Sequence, residues 1–81
     1  MQHIIFDLEA TCWEQGSNID RMEVIEIGAA RLVTDDYEVR DTFSTFVRPT
    51  QEPILSEFCT NLTTINQSDV DSAPIFPEAL A

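Results

Sequence analysis

The feature that most restricts this 81-residue chain is a short apolar strand that finishes on two acids. Residues 2–8, Gln-His-Ile-Ile-Phe-Asp-Leu, are rich in strand formers and alternate along the chain. Ile4, Phe6 and Leu8 fall on one face, and His3, Ile5, Asp7 and Glu9 on the other. Asp7 and Glu9 are therefore neighbours. Carboxylates at that spacing repel unless something positive sits between them or one takes up a proton. A divalent ion with oxygen ligands is the natural solution, and Mg²⁺ or Mn²⁺ suits all-carboxylate ligation. Ions about 4 Å apart can activate a water and stabilise the leaving oxygen of an in-line phosphoryl displacement. The small residues Ala10 and Thr11 follow and leave room for a ligand beside the backbone. On spacing alone, the competing reading is a strand end that emerges into solvent carrying two acids.

The rest of the chain supplies a hairpin and short helices. Residues 10–21 contain Gly16, Ser17 and Asn18 and read as a loop. Residues 23–33 are rich in Ile, Val and Ala. Their β-branched members, Gly28 and the following Thr34-Asp35-Asp36 turn favour a strand over a helix. A return arm over about 37–48 ends at Arg48-Pro49. Beyond Pro49 the spacing predicts a short helix over about 56–62 with Ser56 as N-cap, and a second over about 64–72. Pro77-Glu78-Ala79-Leu80 reads as a first helical turn with Pro at its start. A helix start with little after it is the expectation for one folding unit, residues 1–81, that has been cut.

Charge narrows the classes. Fifteen Asp and Glu stand against four Arg and no Lys, a formal net charge of -11. A stand-alone nucleic-acid module would grip phosphates with Lys and Arg, so this balance argues against one. It leaves room for a metal-dependent enzyme, whose ions meet the phosphates instead. The apolar stretches fall well short of the roughly 20 residues a membrane span needs. Met1-Gln2-His3 runs directly into the strand with no basic then apolar opening, so the expectation is a cytoplasmic protein. Cys12 and Cys59 lie far apart, form no zinc pattern, and read as reduced thiols. The sequons at Asn61 and Asn66 read as chance matches on a polar surface.

Ile5-Phe6-Asp7-Leu8-Glu9-Ala10-Thr11-Cys12 resembles the first motif of the DEDD-type (DEDDh) 3′→5′ exonucleases, which have a ribonuclease H-like fold. Glu23-Val24-Ile25-Glu26-Ile27-Gly28-Ala29 is similar to the second strand of that family. Phe46-Val47-Arg48-Pro49, Leu55-Ser56-Glu57-Phe58-Cys59 and Leu62-Thr63-Thr64-Ile65 are similar to its next segments. So is Asp69-Val70-Asp71-Ser72-Ala73-Pro74, while Thr64 stands where the family more often has Gly. The likeness is greatest to the branch holding RNA-trimming and sporulation-inhibitor-type exonucleases.

The resemblance implies an α/β fold, incomplete here: the start of a three-stranded antiparallel sheet plus short helices. It implies two Mg²⁺ (or Mn²⁺) ions per complete site. Asp7 would ligate both, and Glu9 would ligate one while touching the 3′-terminal hydroxyl. Backbone at Ala10 and Thr11 would hold the terminal nucleotide, with Trp13 or the Gly16 loop flanking the base. The partner would be a single-stranded RNA or DNA 3′ end. Two further acids and a catalytic histidine are implied downstream and have no counterpart here, so these residues alone are expected to be inactive. His3 precedes the acids and reads as structural, because a general base must reach the attacking water. Asp69 and Asp71 precede the third acid position and are not promoted. Glu26 either faces the site or sits in the hairpin as a paired acid. A first strand lacking its later neighbour would expose an edge and an apolar face, which favours oligomers or strand swapping. A fold-only regulatory or interaction protein is the competing function, and a small acidic domain without a ligand is a third.

Overall fold

A computed structural model describes residues 1–15 and 19–80; Gly16, Ser17 and Asn18, in the expected loop, lie outside the described residues. The described elements are β1 (Gln2–Ala10), β2 (Val24–Val33), β3 (Glu38–Phe46), α1 (Glu57–Thr63), α2 (Gln67–Asp71) and α3 (Phe76–Ala79), with a 3-10 turn at Ile19–Arg21. The strands form one antiparallel sheet in the order β1-β2-β3. Among the described residues, β1 therefore pairs on one side only.

The hairpin shows how the sequence sets its own register. Thr34 to Tyr37 make the turn, with Tyr37 in the left-handed region at φ 54°. Asp36 Oδ1 accepts the Glu38 N–H at 3.1 Å, a local side-chain bond of the kind that makes Asp a turn former. Asp41, also left-handed at φ 52°, is the extra residue between the Ala30–Thr42 and Arg31–Arg40 pairs. That bulge sets two arginines opposite each other, which is unfavourable unless each finds an anion. Arg31 pairs with Asp41, and Arg40 with Asp36.

The packed core lies at the end of the sheet where β1 finishes and β2 begins. Ile25, fully buried, gathers Leu55, Cys59, Ile65 and Val70, with Cys12 and Phe46 against them. Each helix is placed by caps. Ser56 Oγ accepts the Cys59 N–H at 3.0 Å and donates to the Cys12 carbonyl at 2.6 Å, so one hydroxyl starts α1 and docks it on the chain leaving β1. The Asp69 carboxylate takes the Asn66 N–H at 2.9 Å, and Glu78 takes the Ile75 N–H at 3.1 Å. These reach-back bonds start α2 and α3. Asp71 accepts from Gln67, whose side chain also holds Pro53 and Leu55.

α2 is shorter than the 64–72 span expected from sequence. Thr64 ends α1 in the left-handed region at φ 63°, and the chain needs Ile65 and Asn66 to turn before helix can resume. Pro77 sits in the first turn of α3, one residue later than the first helical position expected.

Two measurements follow from this packing. A β-branched residue in the left-handed region is strained, and Gly is the usual occupant of such a helix end. Thr64→Gly should stabilise the chain by about 1 kcal/mol in urea unfolding. Burial first, and then the neighbouring Cys59 thiol, push the Cys12 thiol up to about 11. The folded state thus favours the protonated thiol. Its contribution is complete below about pH 9 and is lost as pH rises toward about 11. Unfolding free energies at pH 8 and pH 10.5 should differ more for the parent chain than for Cys12→Ser.

Candidate nucleic-acid 3′-end site

The candidate site is built at the open end of β1. Asp7 and Glu9 lie two residues apart on that strand, so their Cα atoms are about 6.5–7 Å apart and their side chains share a face. The register places Asp7 opposite Gly28 and Glu9 opposite Glu26. A side chain at position 28 would come within 4.0 Å of the Asp7 Cβ. Gly28 leaves that space empty beside the carboxylate. Glu26, which the sequence left between two readings, faces the same side as Glu9.

Asp7 is exposed and Glu9 half-buried, and neither carboxylate has a hydrogen-bond or ion-pair partner among the described residues. Two uncommitted hard oxygen donors on one face fit Mg²⁺ or Mn²⁺, which commonly bind through one or two carboxylates with water and phosphate completing the shell. No group of three or more acids, cysteines or histidines that could hold an ion forms among the described residues. His3 shares the face but lies four residues back, about 13 Å along the strand from Asp7.

The chain leaving β1 is tightly held. The register shifts between Glu9 and Ala10, which leaves Ile25 unpaired, a bulge of the kind that re-aims side chains beside functional sites. Thr11 is only 3% exposed. Its N–H donates to the Glu23 carbonyl at 2.8 Å, and its Oγ1 accepts the Glu23 N–H at 2.9 Å. The Ala10 carbonyl lies 3.8 Å from Cys59 Sγ. Glu23 in turn gathers the N–H groups of Thr50, Gln51 and Glu52 with its carboxylate, at 2.9, 2.9 and 3.2 Å. Sequence reading saw Glu23 only as the start of a strand.

Trp13 follows this anchored turn. The Arg21 guanidinium lies 4.0 Å from the centre of its ring, and Arg21 donates twice to Glu52, at 2.9 and 2.7 Å. That fork holds the Glu52 carboxyl below the usual carboxylate range. The indole is thus oriented by a cation that is itself oriented by an acid. Nothing local to Trp13 signals this arrangement, because Glu52 is 39 positions away. A concavity of about 390 Å³, lined by Glu23, Arg48 and Thr50 with Val24, Val47, Ile75, Phe76 and Pro77, does not include the acid pair.

Comparison with known proteins agrees with this architecture. The family described as Exonuclease (RNase_T) matches residues 4–81. The chain is 47% identical over 68 residues to ERI1 exoribonuclease 2 of Xenopus laevis, covering 84% of this chain and 10% of that protein. It is 46% identical over 77 residues to 3′-5′ exoribonuclease 1 of Rattus norvegicus, covering 94% and 22%. Two solved structures superpose with a TM-score of 0.92 at 42% identity over 98% of this chain. One is a 3′-exonuclease in 3′-end-specific recognition of a histone mRNA stem-loop, of which this chain covers 35%. The other is the nuclease domain of 3′hExo, a DEDDh family member, bound to rAMP, of which it covers 40%. The chain spans between a tenth and a quarter of the length of those two curated relatives. Its sheet and helices are those of the amino-terminal part of a ribonuclease H-like nuclease domain, and the chain belongs to the exonuclease family.

Proposed function

We propose that these residues form the first half of the active site of a metal-dependent 3′→5′ exonuclease acting on single-stranded 3′ ends, RNA above DNA. The observation that carries this reading is the uncommitted pair Asp7 and Glu9, side by side on one face next to the space left by Gly28. The relatives' names, which are exoribonucleases, and the rAMP-bound nuclease domain support RNA as the substrate class.

Asp7 would contact both ions, and Glu9 one ion and the terminal 3′ hydroxyl. The ions, when bound, supply an activated water and stabilisation of the leaving oxygen. Ala10 and Thr11, on a backbone fixed through Glu23 and Cys59, would set the position of the last nucleotide. Trp13, braced by Arg21 and Glu52, offers a flat surface to the terminal base. Hydrolysis needs acids and a histidine that have no counterpart among these residues, so the chain by itself should bind ions without turning RNA over. A reducing, cytoplasmic setting is part of the proposal, supported by two cysteines carried as free thiols. No helix among the described residues is long and apolar enough to cross a membrane.

Association is part of it too. Ile4, Phe6 and Leu8 are each more than half exposed on the face of β1 opposite the acids, with Phe43 exposed beside them on β3. That apolar face and the unpaired edge of β1 favour pairing between copies.

Calorimetric titration with MnCl₂ tests the site. Asp7→Ala should weaken binding at least about tenfold, while Asp35→Ala, in the hairpin turn, should leave it unchanged. Equal affinity in parent and Asp7→Ala would remove the metal reading. Association is tested by melting at several protein concentrations. The apparent Tm should rise with concentration, and Phe6→Glu should abolish the rise; a sharp, concentration-independent transition above about 60 °C would contradict it.

A further inference from the structure

Cys12 and Cys59 are 47 positions apart in sequence, yet they meet where β1 ends. Cys59, on α1, is fully buried within the core cluster, and Cys12 packs against that cluster. One hydroxyl, Ser56 Oγ, touches the backbone of both, at the Cys12 carbonyl and the Cys59 N–H. Ser56 holds their backbones together without using either sulfur. Ser56 Oγ donates to the Cys12 carbonyl at 2.6 Å, one turn before Cys59, and Cys59 Sγ lies 3.8 Å from the Ala10 carbonyl. Cys12 is partly exposed, whereas Cys59 has no accessible surface. Cys12 is thus the accessible member of the pair and Cys59 the enclosed one.

We propose that Cys12 and Cys59 are a thiol pair that a small-molecule disulfide converts into an intramolecular disulfide, a reversible covalent tie between the end of β1 and α1. The Cys12 thiolate attacks one sulfur of the reagent, forming a mixed disulfide and releasing one thiolate. The Cys59 thiolate then attacks the Cys12 sulfur, forming the internal bond and releasing the second. Two protein thiols are oxidised, the reagent is reduced to two thiols, and the two cysteine protons pass to the departing thiolates. An added thiol reverses each step. Burial, which holds Cys12 as the neutral thiol at pH 7, makes exchange slow there and faster at alkaline pH. The tie closes three residues beyond Glu9, so it fixes the backbone at Ala10 and Thr11 against α1.

The test is incubation of the reduced chain with oxidised glutathione at about pH 8.5, acid quenching, and peptide mapping by mass spectrometry without reduction. The parent chain should yield one linked peptide pair containing Cys12 and Cys59, lighter by two hydrogens than the separate thiol peptides. Cys59→Ser should stop at a glutathione adduct on Cys12. In Cys12→Ser, Cys59 should react at least about tenfold more slowly than Cys12 does in Cys59→Ser. The proposal is overturned if the parent chain stops at the Cys12 adduct, if dimers linked between chains are the main product, or if Cys59 is modified as fast as Cys12. This readout is independent of ion binding, so it stands or falls apart from the exonuclease reading.

Discussion

Glu23 is the residue through which this small fold is joined. Its backbone exchanges two hydrogen bonds with Thr11, and its carboxylate collects three successive N–H groups from Thr50 to Glu52. Charge-assisted bonds of this kind are roughly twice as strong as neutral ones. One side chain thereby fixes the exit from β1 and the crossover from the hairpin to the helices. The part of the candidate site that follows the acid pair depends on that junction. Ala10 and Thr11 are held because Glu23 is held, and Glu52 is delivered to Arg21 because its own N–H is bound to Glu23.

The arginines show where the chain's own positive charge is spent. Arg21, Arg31 and Arg40 are engaged with Glu52, Asp41 and Asp36, and Arg48 is exposed without an ion pair among the described residues. Cations of the chain itself are thus mostly used to hold the fold. On the proposed function, attraction for phosphate would be supplied at the acid pair, through ions that invert its charge. On those terms a surplus of -11 is compatible with the proposed nucleic-acid substrate, which composition by itself does not reveal.

Much of this was readable in one dimension. The alternation through Ile4 to Glu9 gives the face of each side chain without any structure, and the hairpin pairs those residues as the alternation requires. Ser56 was legible as a cap because its role is local. The rest depended on geometry with no local signature. Thr64, expected to open the second helix, instead ends α1 in the left-handed region, so the break between α1 and α2 is longer than its residue type suggests. The facing of Glu26 is fixed by strand register, which the bulges at Ile25 and Asp41 each shift by a residue. The meeting of Cys12 with Cys59, and of Arg21 with Trp13 and Glu52, needs the whole fold to be closed.

The pairing of Glu9 with Glu26 has a consequence for mechanics. Like charges directly opposite each other, with Cβ atoms about 5 Å apart, push the two strands open at the end that carries the site. A cation bound there, as proposed, would remove that push, so ion capture and closure of the β1–β2 seam would reinforce each other. Such an ion would act as a cross-brace, and the backbone around it should exchange its amide hydrogens more slowly the more tightly the ion is held.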